Sequence, residues 1–156
     1  MLQGKHALVT GGGTGIGLAI ARALAAEGAR VTITGRRPGP LEEAATDRIF
    51  ALPMDVADED SVTRGIATAV EARGPIQICV PNAGIAEGRA LPKTDMAFWR
   101  QMMAINVDGA FLTIRESLKS MTTTDWGRVI AVSSIAGLKG LKGAPTYSAS
   151  KHALLG

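Results

Sequence analysis

Tyr147, Ser148, Ala149, Ser150 and Lys151 place a phenol and an ammonium four residues apart, which puts both on one face of a helix. A free phenol titrates at about pH 10, too high for efficient proton exchange at neutrality, and a fixed positive charge beside it favours the phenolate. A phenol so placed can protonate a ketone oxygen or take the proton of an alcohol. The same spacing also occurs as ordinary surface decoration. Upstream, Val132, Ser133 and Ser134 close an apolar run that reads as a strand. A hydroxyl at the carboxyl end of a parallel strand can hold the reacting oxygen beside such a phenol. The plain alternative is a serine that caps the following loop.

A second group of residues suits a phosphate. Gly11-Gly12-Gly13-Thr14-Gly15-Ile16-Gly17 lies between an apolar strand and a helical pattern. Glycines let the backbone turn sharply and approach a pyrophosphate, and the helix start offers free N–H groups and the positive end of its dipole. The Gly-x3-Gly-x-Gly spacing differs from the GxGxxG form, and a plain strand-to-helix turn is the bland reading. A dinucleotide fold reads the adenosine ribose at the end of the second strand, where an acid selects the 2′-hydroxyl of NAD and an arginine the 2′-phosphate of NADP. Here the strand runs into Thr34-Gly35-Arg36-Arg37 with no acid close by. The expected coenzyme is NADP(H), with Arg36 on the phosphate; NAD(H) stays open, as does a pair of arginines that merely decorates a loop.

The elements that must position these groups alternate strand and helix. Strands are predicted at His6–Thr10, Arg30–Thr34, Arg48–Met54, Gln77–Val80 and Gly127–Val132. Helices are predicted over Ile16–Glu27 with Gly28 past its end, from Glu59 to Arg73 with Asp58 as its cap, from Asp95 to Ser120, and from near Thr146. The crossover after the second strand, Arg36–Asp47, has room for a brief helix only. Right-handed β-α-β units give a doubly wound parallel sheet of Rossmann type, ordered 3-2-1-4-5, with helices on both faces. Residues 1–156 read as one domain.

Composition narrows the partners. Charged residues are 20% of the chain, aromatics only 4%, and the formal charge is +3. The basic residues are scattered apart from Arg36-Arg37 and the Lys139/Lys142 pair, so nucleic-acid binding is not expected. The single cysteine, Cys79, lies in an apolar run and reads as a buried thiol, in keeping with a reducing, cytoplasmic setting. No leader, membrane span or metal-ligand set is read. Trp99, Met102 and Met103 lie at helical spacing and read as core or subunit contact.

Taken together these residues resemble the short-chain dehydrogenase/reductase family. The resemblance runs through Thr10-Gly11-x3-Gly15-x-Gly17, Asp55-Val56, Asn82-Ala83-Gly84, Asn106-Val107, Ser134 and Tyr147-x3-Lys151. It implies an NAD(P)-dependent oxidoreductase that moves a hydride between nicotinamide and a ketone or secondary alcohol. It also implies roles. Tyr147 is the general acid/base, Lys151 favours its ionised form and binds the nicotinamide ribose, and Ser134 orients the substrate oxygen. Asn106 holds a water that links Lys151 to solvent, with satisfaction of backbone groups in a helix kink as the bland alternative. Asp55 and Val56 meet adenine, unless Asp55 only caps its turn. Asn82, Ala83 and Gly84 support the sheet and line the coenzyme, and Gly11, Thr14, Gly15, Ile16 and Gly17 form the phosphate turn. Family members assemble as homo-dimers or homo-tetramers through their long helices.

Two departures stand out. Pro81 occupies a position where the family has a second asparagine, which alters hydrogen bonding at that strand end. The family also runs well past Lys151, so the expectation is an incomplete chain lacking its last strands and its substrate loop. The substrate stays open among secondary alcohols, sugars, steroids and 3-oxoacyl thioesters or a similar small carbonyl. A catalytically poor nucleotide-binding module is the rival reading.

Overall fold

A computed structural model describes residues 1–156. Strands β1 (His6–Thr10), β2 (Arg30–Gly35), β3 (Ile49–Pro53), β4 (Ile78–Val80) and β5 (Arg128–Val129) form one sheet in the order β3-β2-β1-β4-β5. All four pairings are parallel, with Leu8 opposite both Thr32 and Cys79. The carboxyl ends of the strands therefore share one edge.

Each β1 residue is buried, as a strand covered on both faces requires. Successive side chains alternate between two cores. Ala7 and Val9 join Val31, Ile33 and Val80 beneath helices α1 (Gly15–Ala26) and α2 (Pro38–Ala44). Leu8 points the other way, to Cys79, Val62, Ile66 and Leu112, beneath α3 (Glu59–Arg73) and α5 (Gly109–Met121). Gly28, at φ +95°, ends α1, and Gly74, at φ +81°, ends α3. At the other end of α3, Asp58 Oδ1 accepts from the N–H groups of Asp60 and Ser61 at 3.0 and 3.3 Å. The brief crossover helix is α2, seven residues long.

The structure corrects the sequence reading in two places. The helix expected from Asp95 to Ser120 is α4 (Met96–Met103) and α5 joined by a π turn at Ala104–Asp108. At the junction Gly109 lies so close to β3's exit that a Cβ on it would be 2.8 Å from Val56 Cγ2. The extra residue in the turn rotates Asn106 into the interior, where it is 1% exposed. The second correction concerns β5, expected at Gly127–Val132 but regular only at Arg128–Val129. Arg128, Ile130 and Val132 donate to the carbonyls of Gln77, Cys79 and Pro81 at 2.8, 2.9 and 3.4 Å. The return bond between the last two would come from the N–H of residue 81, and proline has none. The ladder therefore ends early and leaves the Ile130 carbonyl without a strand partner.

At the opposite edge of the sheet, His6 is 1% exposed. Its Nδ1–H donates to the Gly74 carbonyl at 2.8 Å, and Nε2 accepts from the Thr32 hydroxyl at 2.9 Å. Burial pushes its pKa below the ordinary 6.5; the Gly74 carbonyl opposes this, and Arg30 and Arg73 add to the lowering. The folded state thus prefers neutral His6. Its contribution to stability is complete above pH 6.5 and is lost as pH falls toward the depressed value. The thermal midpoint of the native protein is expected to drop more steeply from about pH 7 to about pH 5 than that of His6→Gln, which has no titrating group there. Parallel melting curves for the two proteins would refute this assignment.

Candidate functional site

A groove of about 380 Å³ opens at the carboxyl ends of the strands. The first wall is the glycine turn after β1. Gly11 and Gly15 hold φ +64° and +54°, a backbone region that disfavours side chains. A Cβ on Gly12 would sit 2.7 Å from Ile33, and one on Gly17 would collide with the Gly11 carbonyl. Gly15 has no neighbour within 4 Å, so its exposed side faces open space. Thr14 caps α1 in extended geometry without a side-chain hydrogen bond, and no acid occupies the first turn. The N–H groups that begin the helix are therefore available to an anion. Ile16 stands out from this turn at 65% exposure.

The turn is fastened from behind. The Thr10 hydroxyl accepts from the N–H groups of Asn82 and Ala83, each at 3.0 Å, and Asn82 Nδ2 donates to the Thr10 carbonyl at 2.9 Å. Asn82 thus braces the turn, and Ala83 and Gly84 beside it line the groove.

The second wall comes from β2 and β3. Arg36 and Arg37 line the groove, are exposed, and pair with no carboxylate. Thr34 is fully buried beside them, and its Oγ1 has no partner in the protein. Asp55 Oδ1 accepts from the Ala57 N–H at 3.0 Å, so one carboxylate oxygen caps its turn while the other is uncommitted. Val56 and Ile105 add an apolar patch. Sequence reasoning missed Thr34, Leu41, Met54 and Ile85 as lining residues. Leu41 comes from α2, and nothing local in the sequence shows which way that helix faces.

Ser134 precedes a 3₁₀ turn that packs against the last helix, which carries Tyr147 and Lys151. Ser134 begins a 3₁₀ turn, Ile135–Gly137, with its Oγ accepting from the Ala136 N–H at 3.1 Å. That bond uses a lone pair and leaves the hydroxyl hydrogen free. Gly137 brings this turn against α6 (Pro145–Leu155); a Cβ there would be 2.7 Å from the Lys151 carbonyl. Lys151 is 7% exposed, and its Nζ donates to the Val132 carbonyl at 2.9 Å. The same Nζ lies 6.0 Å from the centre of the Tyr147 ring. Burial pushes the Lys151 pKa below the ordinary lysine value.

Asn106 joins the two regions. Its Oδ1 accepts from the Ile85 N–H at 2.8 Å, and its Nδ2 donates to the Ile85 carbonyl at 2.9 Å and to Ser150 Oγ at 3.0 Å. Both amide hydrogens are thereby used, so the side chain satisfies backbone groups beside the π turn, as one of the two sequence readings had it.

The family model described as short chain dehydrogenase matches residues 5–156. The 3-oxoacyl-acyl-carrier-protein reductase MabA of Mycobacterium avium is 36% identical over 152 residues, covering 97% of this chain and 58% of that protein. An NADP-dependent (R)-specific alcohol dehydrogenase of Lentilactobacillus kefiri is 41% identical over 159 residues, covering 98% and 63%. A galactitol 2-dehydrogenase of Cereibacter sphaeroides is 40% identical over 159 residues, covering 98% and 62%. The chain thus spans between 58% and 63% of the length of these curated relatives. A crystal structure from Sinorhizobium meliloti, assigned as a short-chain alcohol dehydrogenase, superposes with a TM-score of 0.95 at 34% identity, covering 99% of this chain and 64% of that one.

The crowding at Gly17 has a measurable consequence. Gly17→Ala drives a Cβ into the Gly11 carbonyl and the Asn82 amide and is expected to destabilise the fold by about 1–3 kcal/mol. Gly39→Ala, at a helical position with no neighbour within 4 Å, is expected to be neutral or stabilising. Urea unfolding of both variants checks this, and equal midpoints would remove the steric argument.

Proposed function

Because this chain belongs to the short-chain dehydrogenase family, we propose that it is the coenzyme-binding and catalytic part of an NADP(H)-dependent oxidoreductase that interconverts a ketone and a secondary alcohol. The observation that carries this reading is the convergence at α6. A buried lysine, held by the Val132 carbonyl, lies one turn from the phenol, and a serine with a free hydroxyl hydrogen is packed onto the same helix. The three named relatives differ in substrate, yet each name describes an enzyme of the carbonyl/alcohol pair. A small carbonyl compound, 3-oxoacyl thioesters included, is the substrate class this supports.

The residues present fit the coenzyme. The open face of Gly15 and the free N–H groups of α1 suit a pyrophosphate, with Gly11, Thr14, Ile16 and Gly17 completing the turn. The partnerless Thr34 hydroxyl, the uncommitted oxygen of Asp55 and the apolar Val56 suit an adenosine. Two unpaired guanidinium groups and no nearby acid at the end of β2 favour a 2′-phosphate, so NADP(H) is our choice over NAD(H). Ala83 and Gly84 form the wall toward the nicotinamide end, and Lys151 reaches the ribose there. When bound, the nicotinamide supplies or accepts the hydride.

The protein's own groups handle the proton. Ser134 donates its hydroxyl hydrogen to the substrate oxygen and fixes it beside Tyr147. Tyr147 then gives its phenolic proton to that oxygen in reduction, or takes it in oxidation. The Lys151 ammonium favours the phenolate left behind. Asn106 braces Ile85 against the catalytic helix, and the second lone pair of its Oδ1 is left for the water of a proton relay. Phe111 and Leu118, 59% and 39% exposed, lie two helical turns apart on α5 and support a homo-dimer or homo-tetramer. No helix is long and apolar enough to cross a membrane. The single, buried Cys79 suits a cytoplasmic setting.

Two measurements test this reading. Tyr147→Phe is expected to lower kcat by about 10²–10⁴-fold while the NADPH dissociation constant stays near the native value. Undiminished turnover would overturn the role of Tyr147. Arg36→Ala is expected to weaken NADPH about 10–100-fold, the equivalent of one charge-assisted hydrogen bond, and to leave NADH nearly unchanged. Equal losses for both coenzymes would mean that Arg36 does not read the 2′-phosphate.

A further inference from the structure

Resting on that oxidoreductase reading, we propose that Ser150 is a positioning residue for Tyr147, tying the turn that carries the phenol to the wall of the coenzyme groove. Ser150 is completely buried. Its Oγ donates to the Tyr147 carbonyl at 2.7 Å and accepts from Asn106 Nδ2 at 3.0 Å. The direction of each bond is fixed by chemistry, since a carbonyl only accepts and an amide nitrogen only donates. Asn106 in turn grips Ile85 through both its backbone N–H and its carbonyl. Ile85 lines the groove. A continuous chain of directed hydrogen bonds therefore runs from that wall to the backbone of Tyr147, and no member of it titrates.

The acceptor at its end is particular. In an α-helix the carbonyl of residue i receives the N–H of residue i+4, so the Tyr147 carbonyl is the one that closes the turn to Lys151. A serine hydroxyl that shares this acceptor adjusts the geometry of that single turn. Other ties of α6, from Lys151 Nζ to Val132, from Ser133 Oγ to the Lys151 carbonyl and from Gly137 against the same carbonyl, lie on the β5 side. Ser150 is the tie to the long helix. Removing its hydroxyl takes away that directed tie and leaves Asn106 Nδ2, beyond the Ile85 carbonyl, only the weak thioether acceptor Met102 Sδ at 3.2 Å.

Ser148 supplies an internal control. It is also buried, and its Oγ also makes two bonds, to the Ala144 carbonyl at 2.9 Å and from the Leu141 N–H at 3.0 Å. Those bonds fasten α6 to its own preceding loop and do not involve Tyr147.

Tyr147 is the only tyrosine in the chain, so incorporating a fluorinated tyrosine gives one fluorine NMR resonance that reports its ring alone. That spectrum, and NADPH-driven reduction of ethyl acetoacetate as a probe ketone, are measured for the native protein, Ser150→Ala, Ser150→Cys and Ser148→Ala, with Tyr147→Phe as the kinetic reference. Ser150→Ala is expected to shift or broaden the resonance, lower kcat about tenfold or more and raise the solvent isotope effect on kcat in heavy water. The NADPH dissociation constant should change by no more than about threefold, since the groove itself is intact. Ser150→Cys keeps the volume with a weaker donor, should move each readout the same way by less, and decides the matter if Ser150→Ala does not fold. Ser148→Ala should leave the resonance and the isotope effect at native values. A native resonance and isotope effect in the Ser150 variants, or the same changes in Ser148→Ala, would overturn the proposal. Full turnover in Tyr147→Phe would overturn the acid/base role of Tyr147 alone, and no NADPH oxidation by the native protein with any ketone would sink the oxidoreductase reading; in both cases the fluorine spectra would still decide whether Ser150 holds Tyr147 in place.

Discussion

The hydroxyl of Thr10 is the point on which the rest of the site depends. It sits at the carboxyl end of β1, the central strand, and receives the N–H groups of Asn82 and Ala83 as the chain leaves β4. These bonds, with the one from Asn82 Nδ2 to the Thr10 carbonyl, lock two parallel strands at the level where each must turn away. Each contributes about 1 kcal/mol in net terms. Their larger effect is geometric, because the glycine turn, the Asn82–Gly84 wall and the start of α1 acquire fixed positions together. With Gly11 and Gly17 packed against that brace, the backbone has little freedom left, while the side of Gly15 stays open.

The last helix, α6, is fixed by a different kind of bond. Lys151 is an ammonium buried to 7% exposure with a single carbonyl as partner, an arrangement unfavourable to the charged form. A fold selected for stability alone would place an apolar residue there. A cation kept close to a phenol at this expense suits the proton transfer proposed for Tyr147, because the charge acts strongest where water is excluded. The turn that Ser134 opens packs against the same helix at Gly137, where two backbones approach and a Cβ would be 2.7 Å from a carbonyl.

Pro81 shows how a local change is absorbed. It removes one donor from the ladder between β4 and β5, and the ladder ends at Val129. Yet its own carbonyl still accepts from Val132, and that is the residue whose carbonyl holds Lys151. The chain thus keeps its course to Lys151 while its regular pairing stops short.

The sequence by itself determined the alternation of elements, the parallel order of the strands, the glycine turn and the Tyr147/Lys151 spacing. Those features are written in short windows, as apolar period, caps, glycines at strand ends and a four-residue helical repeat. The family resemblance added the identities of Asp55, Asn82, Asn106 and Ser134. The tertiary structure decided what those residues touch. Asn106 meets Ser150 across 44 residues and Ile85 across 21, and Lys151 meets Val132 across 19. Gly109 meets Val56 at the end of the π turn, and Leu41 enters the groove from α2. No local pattern encodes such contacts, since each depends on two segments that become neighbours only after the sheet has formed.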